Sequence, residues 1–184
     1  GEMMLFNMIN LAQFERKQTS ERVSLNFHSR ALRGLSNGGC NIIGYDRDPT
    51  NSGKFIINEE EAVVVRKVFE LYLASKSLSE TARRLMDEGH LPKIHAEKRA
   101  RLARDGKWTI HSVRSILKNM SYIGLREINK LNKNVNHEHL KPWQQYQVVQ
   151  AVWPAIISKN DFERVKSALE DGRTIERQRL TTAD

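Results

Sequence analysis

The sequence contains a single cysteine, Cys40, among 184 residues. One cysteine excludes an intrachain disulfide and a Cys-x-x-Cys zinc site. The six histidines, which include His137 and His139, come without the cysteine or carboxylate pattern that a metal site requires. We therefore expect no metal and no other cofactor, and a protein of a reducing cytoplasm.

The sequence also lacks an apolar run long enough to cross a membrane. Its most apolar stretch, from Met3 to Phe14, is interrupted by Asn7, Asn10 and Gln13. A membrane-spanning helix needs about 20 consecutive, mainly apolar residues. We therefore expect no membrane partner and no targeting segment.

Acidic and aromatic residues are few compared with basic ones. The chain has 30 Lys and Arg against 22 Asp and Glu, a net charge of +8, and 7% aromatic residues. The positive charge favours a polyanionic partner such as nucleic acid. An RNA-binding or nuclease-accessory domain would stack bases on exposed aromatic side chains, so the low aromatic content argues against that alternative.

Proline and glycine are absent from Leu5 to Arg33, which predicts one long helix. The first part of this helix is apolar on nearly every side, so it needs a partner, and the alternative is that it packs onto the domain that follows. Glycines between Gly34 and Gly39 end the helix and predict a linker.

Beyond the linker, the sequence predicts a compact domain of about four helices with short antiparallel β-hairpins. Strands are expected at 42–47, 54–57, 122–128 and 146–152. Helices are expected after the N-caps Asn58, Ser77 and Thr109, the last of these ending near Asn119, and from Lys159 to Leu169; Glu61 and Glu80 would complete two capping boxes. The predicted buried positions are Val65, Val68, Phe69, Tyr72, Leu73, Leu78, Ala82, Leu85, Val113, Ile116, Leu117, Phe162, Val165 and Leu169. The fold class is α+β and mostly helical.

The connection between the second and third helices of this domain, residues 93–107, is much longer than the three or four residues of a helix-turn-helix. This length excludes a compact helix-turn-helix.

Several short motifs follow one another along the chain. In order, they are Ala12-Gln13-Phe14-Glu15-Arg16 with Ser20-Glu21-Arg22, Gly38-Gly39 before Gly44-Tyr45, Asn58-Glu59-Glu60-Glu61-Ala62 with Val68-Phe69-Glu70-Leu71-Tyr72, Trp108-Thr109 through Val113 to Ile116-Leu117 and Asn119, and Tyr122-Ile123-Gly124 with Ile156-Ile157-Ser158. Together they resemble the large serine recombinases, the integrases of phages and transposons. The resemblance implies that residues 1–33 are the terminal helix of a catalytic domain, 34–41 a linker, 42–170 a DNA-binding recombinase domain, and 171–184 a flexible tail toward a zinc domain.

The sequence departs from this family in three ways. The Tyr-x-Arg-x-Ser motif of the nucleophilic serine and the cysteine-rich zinc domain have no counterpart, the 93–107 segment is longer than usual, and Met120 replaces a common proline. Without the serine no phosphoseryl link forms, so we expect a fragment that is not an enzyme by itself, from a serine-type site-specific recombinase. Glu15 and Arg16 match a pair near the family's active site; taken alone, they are solvated helix charges.

Two regions are candidates for DNA binding. A glycine-containing linker lets the backbone approach the narrow minor groove, and nearby arginines follow its negative potential; the alternative is a plain flexible hinge. This group is Arg30, Arg33, Asn37, Gly38, Gly39 and Asn41. The helix after Trp108 has polar and basic residues on its outer face that suit base edges and phosphates; the alternative is a solvated face. This second group is Lys107, Thr109, His111, Ser112, Arg114 and Lys118, to which we add the basic residues Arg83, Arg84 and Lys93.

These observations predict a DNA-binding module that holds a recombinase on half of a double-stranded attachment site during integration or excision. We expect self-association through the N-terminal helix and the missing catalytic domain, and a nucleoid-associated location. A winged-helix transcriptional regulator is the alternative function, because it would share the basic reading helix and the hairpin, but it does not explain the Glu15-Arg16 helix or the linker.

Overall fold

The computed structural model describes residues 2–38, 42–90, 92 and 107–181, with the backbone alone at 137 and 173–181. Within these ranges the chain forms five α-helices and four short strands. The helices are α1 (Glu2–Leu32), α2 (Glu59–Ser75), α3 (Leu78–Asp87), α4 (Ile110–Leu117) and α5 (Lys159–Thr181), and the strands are β1 (Tyr45–Arg47), β2 (Phe55–Ile57), β3 (Leu125–Ile128) and β4 (Gln147–Gln150). The predicted fold class, α+β and mostly helical, is confirmed.

Helix α1 is one continuous helix whose N-terminal half is exposed. Its large apolar side chains from Met3 to Phe14 are each at least 55% exposed, and Ala31 near its end is its buried residue. The alternative that these side chains pack onto the following domain is therefore wrong. Gly34 ends the helix at a φ of +74°, where its main-chain oxygen accepts a hydrogen bond from Val152 N.

The strands form two separate antiparallel hairpins. Strand β1 pairs with β2 so that Tyr45 lies opposite Ile57, and β3 pairs with β4 so that Ile128 lies opposite Gln147. The second hairpin is shorter than the sequence predicts, because residues 120–123 form a 3-10 turn that buries Tyr122 before the strand begins. The order of the strands is otherwise as predicted.

At the N-termini of α2 and α3, only one of the two hydrogen bonds of a capping box forms. The Asn58 side chain accepts a hydrogen bond from Glu61 N and the Ser77 hydroxyl accepts one from Glu80 N, as predicted. The two glutamates do not complete capping boxes, however. The Glu61 carboxylate accepts from Gly44 N at 2.8 Å, whereas the Glu80 carboxylate accepts from two arginines. Glu61 therefore takes a partner that tertiary structure brings within reach, whereas Glu80 takes partners three and four residues along its own helix.

The core is built around α2, which contacts α3, α4 and α5. Leu71 is buried, although the sequence did not predict it, because the buried stripe of α2 is wider than one helical row. Leu73, which the sequence predicted to be buried, is half-buried. Leu78 is also only half-buried, since it lies in the first turn of α3. The other predicted core positions are buried. Trp108 joins them at 4% exposure, and its indole N–H donates to the His90 main-chain oxygen.

Helix α5 packs Phe162, Val165 and Leu169 against the core and continues through Gly172 to Thr181. The sequence predicted an end at Leu169. The residues beyond Gly172 are mostly good helix formers, which accounts for the longer helix. Among the described helices, none combines the length and the apolarity that crossing a membrane requires.

Candidate nucleic-acid interface

Helix α4 has a buried inner face and an exposed outer face. Val113, Ile116 and Leu117 lie on the inner face, at 0%, 8% and 1% exposure. The outer face exposes His111, Arg114 and Lys118, which the sequence proposed for DNA binding, and also Ser115. The predicted division of this helix into a core face and a polar face is thus confirmed.

Thr109 and Ser112 form a reciprocal capping box at the start of α4. The Thr109 hydroxyl accepts from Ser112 N at 3.1 Å, and the Ser112 hydroxyl accepts from Thr109 N at 2.9 Å. These hydroxyls therefore fix the start of the helix. Contact of either residue with DNA stays a prediction, as it does for Lys107, which is exposed just before Trp108.

Arg114 is exposed on the outer face and has no carboxylate partner among the described residues. It lies close enough to Tyr72 to interact with its phenol. Burial raises the pKa of Tyr72, and the positive charge of Arg114 opposes that rise. An exposed guanidinium without an internal partner keeps all of its hydrogen-bond donors for a ligand.

The linker residues differ from one another in their contacts. The Arg30 guanidinium donates at 3.4 Å to the main-chain oxygens of both Ser36 and Ser52, so it holds the linker to the turn of the first hairpin. The Asn37 amide donates to Phe27 O at 2.8 Å. Arg33 is exposed, and the described residues offer its side chain no partner. Arg30 therefore has a structural role, whereas Arg33 remains available.

Gly38 is exposed at the last described position of the linker, where an added Cβ would meet open space. The predicted binding residues Gly39, Asn41 and Lys93 lie outside the described residues.

Arg83 and Arg84 are exposed on α3 but already carry acidic partners. Both donate to the Glu80 carboxylate, at 2.8 Å and 2.7 Å, and Arg83 also donates to Asp87. The hydrogen bond from Arg83 is the largest of the effects that lower the pKa of Glu80 to about 2. These pairs offset the positive charge of α3. Their use in DNA binding stays a prediction.

The end of the linker lies beside the outer face of α4. A groove of about 280 Å³ separates Ile42 and Ile43 from the helix. Its other wall includes His111, Ser112, Ser115 and Asn119. A chain segment leaving the linker and the polar face of α4 therefore border one concave surface.

Two buried tyrosines hold this arrangement together. The Tyr45 hydroxyl donates to the main-chain oxygens of Pro154 and Ser121, at 2.7 Å and 3.1 Å, and the Tyr122 hydroxyl donates to Ile43 O at 3.0 Å. Sequence reasoning did not assign them this role. Their signal was weak, because a tyrosine next to a turn also fits an ordinary strand.

Glu15 and Arg16 are exposed on α1. At a rise of 1.5 Å per residue they lie about 25 Å along the helix from Arg33. They are therefore remote from the linker and from α4. In the described part of the chain, no group of three His, Cys, Asp or Glu side chains is arranged to hold a metal.

The described helices α2 to α4 and most of α5 coincide with a known family. The model of the Recombinase family matches residues 59–172, more than half of the chain. The chain therefore belongs to the Recombinase family. The resemblance to large serine recombinases that the motifs predict is confirmed at this level. No curated protein sequence matches the chain.

Two solved structures share the fold. The chain of a crystal structure of an LSR–DNA complex, LSR denoting a large serine recombinase, is 22% identical with a TM-score of 0.57, covering 82% of this chain and 38% of that one. A structure concerned with the sequence requirements of the Listeria innocua prophage attP site is 21% identical with a TM-score of 0.55, covering 81% of this chain and 51% of that one. This chain thus spans about 38% to 51% of the length of those proteins.

Proposed function

We propose that this chain is the DNA-binding region of a site-specific serine recombinase and that it holds the enzyme on one half of an attachment site. The observation that carries the proposal is the polar outer face of α4, on which Arg114 is exposed and has no carboxylate partner among the described residues. His111 and Ser115 of the same helix border the groove beside the end of the linker. An α-helix with such a face fits the major groove. The family match includes this helix, which favours the recombinase over the winged-helix regulator.

The linker and α4 are proposed to contact different grooves. Glycine-containing backbone next to an arginine that has no partner among the described residues suits the minor groove, where Arg33 would follow the negative potential. Helix α4 is proposed to read base edges in the major groove through Arg114.

The test compares single alanine variants on cognate and scrambled duplexes at several salt concentrations. Arg114→Ala is expected to cost about 1–3 kcal/mol on the cognate site and less on the scrambled duplex, because a base contact senses particular acceptors. Arg33→Ala is expected to weaken binding to both duplexes and to lower the salt slope by about 0.9. Arg66→Ala is the matched control, since it removes the same charge from an exposed site on α2 that already pairs with Glu59.

Two results would overturn the proposal. Wild-type protein that shows no duplex binding at about 50 mM salt is not a DNA-binding module. Equal losses for Arg114→Ala on both duplexes would make Arg114 a phosphate contact and remove the reading role from α4.

For the whole protein, we propose that strand exchange is carried out by a catalytic domain of the serine type. The 184 residues contain no Tyr-x-Arg-x-Ser motif, so this chain alone is expected to form no covalent adduct with attachment-site DNA. An adduct that survives denaturation would contradict this assignment. In the whole recombinase, Glu15 and Arg16 would lie close to this catalytic domain.

The exposed apolar half of α1 supports a proposal of self-association. Contiguous apolar surface of this kind marks an interaction site. We expect the chain to associate in sedimentation velocity experiments, and a variant with Phe6→Glu and Ile9→Glu to shift toward the monomer. Both side chains are more than half exposed, so the variant retains the folded domain. Identical sedimentation of the two proteins would refute this role of α1.

A further inference from the structure

A second polar cleft lies on the other side of the linker, between the last turns of α1 and strand β3. Its volume is about 330 Å³. Ser24 and His28 of α1, Asn37 of the linker and Arg126 of β3 are among the residues that line it. The predicted DNA-binding set does not include Arg126, and a single arginine within a four-residue strand gave no signal in the sequence.

Two buried polar atoms at this cleft lack a partner. Within the described part of the chain, neither Arg126 Nη1 nor His28 Nδ1 has a hydrogen-bond partner, although both atoms are buried. Leaving such a group unpaired costs about 1–3 kcal/mol, and more when the group is charged. More than 90% of buried polar groups in proteins have a hydrogen-bond partner, so two buried atoms without one at the same cleft indicate a partner from outside the chain.

The charges around the cleft select the kind of partner. Burial lowers the pKa of the Arg126 guanidinium, and the positive charge of Arg30 lowers it further. The two guanidinium groups are therefore near one another. Glu127 also lines the cleft, but its two carboxylate oxygens already accept from Tyr146 and Lys130, at 3.0 Å and 2.6 Å. Among the described residues no carboxylate pairs with Arg126. The local excess of positive charge requires an anion.

We propose that this cleft is a phosphate-binding site and that, in the DNA complex, Arg126 contacts a backbone phosphate beside the groove that the linker enters. This inference rests on the proposed function. Arg126 also lines a neighbouring cleft of about 270 Å³ together with Ser36 of the linker, so this arginine lies where the linker leaves α1. A guanidinium presents parallel N–H donors that match two phosphate oxygens, which a lysine does not do. Arg30 remains bonded to the linker and supplies charge rather than the contact.

The first arm of the test uses a small anion on the full 184-residue chain without DNA. Thermal unfolding is measured in sodium sulfate and in sodium chloride at equal ionic strength. Sulfate, which resembles a phosphate diester in its oxygen geometry, is expected to raise the midpoint of the wild type more than that of Arg126→Met. In chloride, Arg126→Met should be as stable as the wild type or more stable, because the substitution removes an unpaired, partly buried charge.

The second arm measures duplex binding. Arg126→Met is expected to lower affinity roughly tenfold on cognate and scrambled duplexes alike and to reduce the salt slope by about 0.9. Arg126→Lys should keep the slope, because it keeps the charge, yet lose part of the affinity with the planar fork. Arg164→Met is the matched control, since Arg164 is exposed on α5 and pairs with Asp161.

The outcomes separate this inference from the proposed function. If wild-type protein binds DNA steeply and Arg126→Met has the same slope and affinity, the DNA contact is refuted while the proposed function stands. If the wild type does not bind DNA, the proposed function fails, and the sulfate arm still decides whether the cleft takes an anion. If sulfate protects both proteins equally, the phosphate site is refuted. If Arg126→Met unfolds at a clearly lower temperature in chloride, Arg126 is a structural residue and the inference is wrong.

Discussion

The Tyr45 hydroxyl is the most informative single group for testing how the interface is held together. Tyr45 is 0% exposed, and its hydroxyl lies 2.7 Å from Pro154 O and 3.1 Å from Ser121 O. It has one proton, so the shorter contact to Pro154 is the main hydrogen bond. This bond connects the first hairpin to the chain that follows the second hairpin.

Tyr45→Phe removes the hydroxyl and keeps the ring. The ring contacts with Phe55 and Tyr122, at centroid distances of 6.2 Å and 6.1 Å, are retained. The substitution removes a part-buried hydrogen bond to Pro154 O, which costs about 0.5–1.5 kcal/mol. With a urea m-value of about 2 kcal/mol/M, the unfolding midpoint should fall by roughly 0.25–0.75 M.

The assay is equilibrium unfolding in urea, followed by the fluorescence of the buried Trp108 and Trp153. Tyr72→Phe is the matched control, because the Tyr72 ring is 2% exposed and its hydroxyl has no hydrogen-bond partner among the described residues. The control should stay within about 0.5 kcal/mol of the wild type. If Tyr45→Phe falls within the same margin at an unchanged m-value, the hydroxyl does not hold these segments together and the reasoning is refuted.

Three further predictions concern stability and titration. Gly34→Ala should lower the unfolding free energy by about 2–4 kcal/mol, because φ is +74° and the new Cβ would lie 2.3 Å from Gln150 O; an unchanged urea midpoint would contradict it. Leu85→Ala, at a fully buried site of α3, should cost about 2–5 kcal/mol in the same assay, and a loss under about 1 kcal/mol would show that α3 does not pack as described. An NMR titration of the Glu80 carboxyl should give a pKa of about 2, because the hydrogen bond from Arg83 stabilises the ionised carboxylate. A pKa near the usual 4.5 would show that the pair does not form in solution. Since the folded-state pKa lies below the usual value, any stability from this pair is present above pH 4.5 and is lost as the pH falls toward 2.

Local signals accounted for much of the fold. Asn58, Ser77 and Thr109 each cap the helix that the sequence predicts to begin there. An N-cap hydrogen bond joins residues only two or three positions apart, so the start of a helix depends mainly on the local sequence. The division of α4 into a buried and an exposed face followed from its 3.6-residue period for the same reason.

Some side-chain partners were less predictable, because long side chains also reach residues that are distant in sequence. Glu61 has the spacing of a capping box, yet its carboxylate accepts from Gly44 N, 17 residues away. Glu80 has the same spacing, yet its carboxylate accepts from Arg83 and Arg84 of its own helix. Arg30 and Arg33 are equivalent in the sequence pattern, yet within the described ranges Arg30 bonds to the linker and the hairpin turn and the Arg33 side chain does not. Such choices depend on distances of a few ångströms between separate elements.

The sequence by itself determined the order of helices and hairpins, the excess of positive charge and the motifs that place the chain in its family. These properties depend on composition and on short-range periodicity. The pairing of Arg83 and Arg84 with acids is local, since Glu80 and Asp87 lie three or four residues away on the same helix. Tertiary structure alone decided that Arg126 is half-buried and that its Nη1 has no partner among the described residues. The physical reason is that the availability of a charged side chain depends on its burial and on the neighbours that folding brings within hydrogen-bond distance.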